Sequence, residues 1–168
     1  MKILSSITLI LCLLIPLPVE ATSKKGAEGA LTDTTITLKE SFEYAIEAER
    51  ELSGLYIDIS THFKMEHPFT PIHKDKESHI QQLIPYATKY MIKLPPPTGK
   101  VELPSTESKA YMVGIQKEKA QIAMYNKFIT NPTIPADVKG IYTILRNKSI
   151  RHLSIFQKKQ KELNRTDE

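Results

Sequence analysis

Tryptophan is absent, and the one cysteine is Cys12. A single thiol excludes an internal disulfide framework and any zinc site built on cysteines. Glycine is scarce, at 6 of 168 residues. Neither a Gly-x-Gly-x-x-Gly turn nor a Gly-x-x-x-x-Gly-Lys-Ser/Thr loop occurs, which removes the two common phosphate-cradling motifs. Alternation of apolar and polar residues over strand-length windows is missing, as is any internal repeat. What remains is an ordinary globular composition, 40% hydrophobic and 25% charged, punctuated by 11 prolines.

One apolar run, interrupted only by Ser5, Ser6 and Thr8, stands at the start. Met1-Lys2 precede Ile3 to Val19, and Pro16 and Pro18 break the run near its end. It is short for a membrane span. Val19 and Ala21 supply the small residues of a signal-peptidase site, so residues 1–21 read as a signal peptide cleaved after Ala21. The expected product is secreted or periplasmic. Leu11 stands before Cys12 where a lipoprotein signal needs a small residue, so no stable membrane anchor is expected after cleavage. Residues 22–37 are polar and glycine-containing and read as a flexible leader. The formal net charge is +4, with an excess at Lys158, Lys159, Lys161 and Arg165. Cations suit the end of a helix dipole. No basic stripe with interleaved aromatics accompanies them, so no nucleic-acid partner is expected. A protein partner is left open.

Residues 38–165 carry four amphipathic segments with helical period, which predicts an all-α fold. The expected helices are 38–63, 74–94, 107–130 and 136–163. Their inward stripes are Phe42, Ala45, Ile46, Glu49, Leu52, Tyr56 and Phe63; Lys76, His79, Ile80, Leu83, Ala87 and Tyr90; Tyr111, Ile115, Glu118, Ile122, Tyr125 and Ile129; and Val138, Tyr142, Leu145, Ser149, His152 and Phe156. Pro68 and Pro71 separate the first pair of helices, and Pro132 and Pro135 the last pair, so each pair should be an antiparallel hairpin. Between the hairpins, Pro95-Pro96-Pro97 opens an extended link that reaches about 30 Å, roughly one helix length. Two hairpins joined by such a Pro-rich crossover make a ferritin-like four-helix bundle.

Each stripe holds a polar residue where an apolar one is due: Glu49, His79, Glu118 and His152. All four sit near mid-helix and can meet at one level of the core. A buried carboxylate must be neutral, paired or bound to metal. Two carboxylates and two imidazoles are candidate ligands for one iron, manganese or zinc ion. Lys76 offers the alternative: a Lys–Glu pair needs no metal, and the domain is then a non-catalytic interaction bundle. His62, His67 and His73 fall at a helix end or in the Pro68–Pro71 loop and read as surface residues. Ser149 and His152, three apart on one helix, lack an oxyanion hole and are no nucleophile–base pair. The sequons at Asn147 and Asn164 read as chance matches, the first because its helix faces the core.

The fourth segment, from Tyr142 to Phe156, resembles the signature of the ferritin-like family called domain of unknown function 2202, through Tyr142, Leu145, Ser149, His152, Leu153 and Phe156. Glu47-Ala48-Glu49 with Tyr56, and Val113-Gly114 with Glu118, are similar to two further segments of that family. Lys148 and Arg151 depart from the signature, and Lys76 stands where the family carries the Glu of a Glu-x-x-His. The resemblance implies a bundle derived from di-iron carboxylate proteins, with no established activity. It also implies that the two metal-bridging carboxylates are missing, at Lys76 and Ser149, so that an intact di-iron oxidase is not expected.

Overall fold

The computed structural model describes residues 25–97 and 102–166. The expected signal peptide lies outside the described residues. Five helices follow one another: α1 (Gly26–Thr32), α2 (Leu38–Phe63), α3 (Phe69–Lys89), α4 (Glu107–Thr130) and α5 (Ala136–Thr166). No strand occurs among the described residues.

Local chemistry sets the ends. Thr37 opens α2 with a reciprocal cap: Glu40 N–H donates to Thr37 Oγ1 at 3.2 Å, and Thr37 N–H to Glu40 Oε2 at 2.8 Å. The helix closes at Lys64, in the left-handed region at φ 55°, with Met65 N–H donating to Ser60 O at 3.0 Å. Thr106 caps α4 by accepting from Lys109 N–H at 3.2 Å. α3 departs from the expected 74–94. It starts five residues earlier because Pro71 falls in its first turn, where a missing N–H breaks no intrahelical bond. It stops at Lys89 because Met91 turns left-handed at φ 54° and Ile92 N–H returns to Ala87 O at 2.8 Å. The tri-proline stretch comes later and does not end the helix.

The expected flexible leader is also corrected. Its residues 26–32 form α1, which lies on α2 and α4. Gly26, Gly29 and Ala30 are buried there, and their small size lets α1 sit close. Gly26 N–H donates to Glu47 Oε2 at 3.1 Å, and Lys127 Nζ donates to Ala30 O at 2.7 Å. A seven-residue helix has little stability of its own, so these tertiary contacts hold it.

The long helices pack lengthwise, α2 against α3 and α4 against α5. Phe69 and Tyr111 stack at 5.5 Å, which puts the starts of α3 and α4 at one end. At the other end Tyr90 donates to Asp137 Oδ1 at 2.8 Å, joining the close of α3 to the start of α5. The described parts of the α3–α4 link follow the same axis. Ile92 and Leu94 pack at the Asp137 end, Arg50 donates to Pro95 O from mid-α2, and Leu103 packs at the Phe69 end.

The apolar core is split in two. One cluster gathers Phe42, Ile46, Leu83, Tyr125, Phe128 and Tyr142; the other gathers Leu52, Tyr56, Phe69, Tyr111 and Phe156. On each long helix the polar stripe residues fall between the two. Stripe phases hold on α2, α3 and α5, with Phe63 and Tyr90 only half-buried. The α4 stripe is rotated: Gly114, Gln121 and Phe128 are buried, while Ile115, Ile122 and Ile129 are only partly so.

Gly114 explains part of that rotation. A Cβ there would come within 3.0 Å of the Phe156 ring. Phe156 cannot retreat, because Tyr56 and Phe69 each hold it at a ring distance of 5.3 Å. Gly114→Ala gains about 1 kcal/mol of helix propensity but overpacks a full core, at about 1–3 kcal/mol. The expected result is a net loss of roughly 1 kcal/mol, read as a lower denaturant midpoint with unchanged slope.

Candidate functional site

Between the two apolar clusters lies a polar layer. Glu49, Lys76, His79, Glu118, Gln121 and Ser149 have no solvent exposure, and His152 has 3%. All four sequence-predicted ligands are brought together, and Lys76 stands among them.

The lysine organises the carboxylates. Lys76 Nζ lies 3.0 Å from Glu118 Oε2 and 3.7 Å from Glu49 Oε2, and it donates to Gln121 Oε1. Each carboxylate is also held by a tyrosine: Tyr125 donates to Glu49 Oε1 at 2.6 Å, and Tyr56 to Glu118 Oε1 at 3.1 Å. Ser149 Oγ donates to Gln121 Oε1 at 3.2 Å. Burial alone pushes the Glu49 carboxyl up. The Lys76 ammonium, His79 and the Tyr125 hydroxyl outweigh it and hold Glu49 down at about 2. Glu118 is lowered in the same way, chiefly by Lys76 against burial. Burial and the neighbouring carboxylates push Tyr56 and Tyr125 well up, so both remain phenol donors.

The two histidines are placed alike. His79 Nδ1 lies 3.1 Å from Glu49 Oε2, and His152 Nε2 lies 3.1 Å from Asp75 Oδ2. A carboxylate only accepts, so each of these nitrogens carries a proton. In the neutral ring the lone pair then sits on the other nitrogen. Those atoms, His79 Nε2 and His152 Nδ1, are buried without a hydrogen-bond partner, as is Gln121 Nε2. The rings face each other at 5.9 Å with planes 16° apart. His152 Nδ1 is 3.6 Å from Glu118 Oε1, too far for a hydrogen bond. Two buried carboxylates face one ammonium, so with neutral imidazoles the layer lacks one positive charge.

Among the described residues, no group of three or more His, Cys, Asp or Glu side chains is arranged to hold a metal ion. The physical reason is visible: the lysine ammonium fills the space between the carboxylates, and both Glu49 oxygens are already taken. Elsewhere, a groove of about 590 Å³ runs along Thr34 to Leu38 beside Lys127 and Asn131, and holds none of the layer's residues. His73 is not a free surface residue. Its Nδ1 lies 2.9 Å from both Ser53 O and Ser53 Oγ, and Ser53 Oγ donates to Glu77.

Sequence reasoning missed Asp75 and Gln121. Gln121 follows Glu118 by three positions, so a correct helix phase would have found it. Asp75 carries no sequence signal, because its partner lies on another helix.

The fold and site thus define an all-helical chain with a lysine-clamped carboxylate–histidine layer at its centre. No known family model matches the chain, and no curated protein or solved structure matches it either.

Proposed function

We propose that the chain is a ferritin-like four-helix bundle, exported to the periplasm or beyond, whose centre keeps one transition-metal position and has lost the second to Lys76. One observation carries the reading: each core imidazole is fixed by a carboxylate through one nitrogen and presents the other, buried and unpartnered. That is how metal-ligating histidines are commonly oriented. A dinuclear centre does not fit these residues. A cation between Glu49 and Glu118 would meet the Lys76 ammonium, and no bridging carboxylate is free. A single ion would draw on the two unpartnered ring nitrogens, His79 Nε2 and His152 Nδ1, with Glu118 beside them, and these side chains would have to turn toward it, because they are not arranged around one point beforehand. Glu49 then serves His79 rather than the metal. Two imidazoles suit zinc or iron better than manganese. When bound, the ion supplies Lewis acidity or one-electron chemistry; the side chains around it orient the imidazoles and keep water out.

A second reading has its own support. Lys76 already satisfies both carboxylates, so the ammonium can replace metal altogether, and the bundle then serves in interactions.

Titration of metal-free protein with zinc or ferrous ion under nitrogen separates the two. The first reading expects one ion per chain, lost in His152→Ala and retained in His67→Ala. Equal losses in both variants contradict the ligand set, and no binding at all leaves the second reading.

A further inference from the structure

We propose that the outer surface of α5 is a docking surface for an anionic lipid membrane, reached reversibly from solution. The proposal goes beyond the reading of the polar layer and does not depend on it.

Charge is shared unevenly along the chain. Residues 25–97 hold 8 Lys and Arg against 11 Asp and Glu, a formal −3, while residues 102–166 hold 12 against 5, a formal +7. On α5 no acid stands between Asp137 and Glu162, and Asp137 is already bound by Lys89 at 2.7 Å. Lys158 and Lys159 share Glu162, but Lys148, Arg151 and Lys161 meet no carboxylate among the described residues. These free cations stand among exposed aliphatic side chains: Ile144, Ile150 and Ile155 are 51%, 46% and 42% exposed. Ile144, Lys148, Arg151 and Ile155 follow at steps of four, three and four, so they form one stripe about 16 Å long on one flank of the helix. Asp75, which α3 turns toward α5, is engaged by His152 and has Lys74 beside it. Only α4 and α3 pack on α5, so no other helix covers its outer surface.

An anionic membrane takes both kinds of side chain at once. Headgroup phosphates meet the cations, and the isoleucines enter the boundary with the acyl chains. Nucleic acid would use the cations but leave the isoleucines against phosphate, and the aromatic rings of α5, Tyr142 and Phe156, are buried and offer no base a stacking partner. A second copy docked face to face would set cations against cations. The contact is superficial, because no helix among the described residues is long and apolar enough to cross a membrane.

Flotation of the purified chain with vesicles of phosphatidylglycerol or of phosphatidylcholine tests the proposal. The chain should float with the first at low salt, stay behind with the second, and be released as salt rises. Arg151→Ala and Lys148→Ala should each weaken binding by about fivefold and lessen its salt dependence. Ile155→Ser should weaken binding at low and high salt alike, because it removes insertion and not charge. Ile84→Ser, on the side of α3 opposite Asp75, should change nothing. No binding to phosphatidylglycerol, or equal binding to phosphatidylcholine, overturns the proposal. So does binding that Arg151→Ala and Ile155→Ser leave intact. A chain that ignores both vesicles and binds duplex DNA, with Ile155→Ser unchanged, has a nucleic-acid surface instead and overturns it too.

Discussion

Replacing Lys76 with methionine should cost the fold about 3–5 kcal/mol at neutral pH. Methionine has nearly the lysine's length, so the loss comes from charge and not from a cavity. It leaves Glu49 and Glu118 buried with no ammonium between them, 3.7 and 3.0 Å from where Nζ stood. The pH dependence identifies the cause. In the wild type the Glu49 carboxyl is held at about 2, below its ordinary value of 4.5, with Lys76 the foremost of the groups that overcome burial. A depressed carboxylate stabilises the fold fully above its unfolded value, and the contribution fades as pH falls from about 4.5 toward 2. In Lys76→Met the main downward pull is gone and burial remains, so the carboxyls are pushed up and take protons. The stability gap between variant and wild type should therefore be widest at pH 7 and narrow toward pH 4. Urea unfolding at both pH values measures it. A gap that is the same at both would mean that Lys76 acts through packing alone.

Lys76→Glu should do more. It removes the ammonium and adds a third carboxylate to a layer that already holds two, so the metal-free variant should be less stable than Lys76→Met. Divalent metal should reverse the effect. With Glu at this position α3 carries Glu-x-x-His, ending at His79, and a cation between the carboxylates is attracted rather than repelled. Saturation at a hundredfold excess over Kd adds about 2.7 kcal/mol, worth roughly 5–10 °C in melting temperature for a domain of this size. Ferrous or manganous ion should thus stabilise the variant far more than the wild type and raise the stoichiometry from one ion per chain to two. Position 149 is a serine and offers no further carboxylate to a second ion, so stoichiometry should rise before any oxidation of ferrous ion is seen. An unchanged stoichiometry in a folded variant would mean that position 76 does not control the second position.

The helices were legible because their apolar residues keep a helical period. Leu38–Phe63 and Glu107–Thr130 coincide with the sequence reading. α5 shows why the polar layer could be found: its buried residues repeat at alternating steps of four and three, and Ser149 and His152 fall on that line. α4 misled for a physical reason. Its isoleucines at 115, 122 and 129 form a continuous row, but the seam with α5 needs room for Phe156 over Gly114 and a partner for Lys76 in Gln121. Hydrophobicity alone does not report such needs. α1 was illegible because a short, glycine-containing segment is helical only where α2 and α4 receive it. Asp75 was illegible because its role depends on His152, which the fold alone brings within reach.

Lys76 stands between the carboxylates, and on the proposed reading the paired imidazoles keep one position for a metal. Anomalous diffraction from crystals soaked in zinc tests this most directly. One peak per chain is expected, against His79 Nε2 and His152 Nδ1, with Lys76 Nζ still between Glu49 and Glu118. Two peaks, or a single peak between the carboxylates with Lys76 displaced, would contradict it.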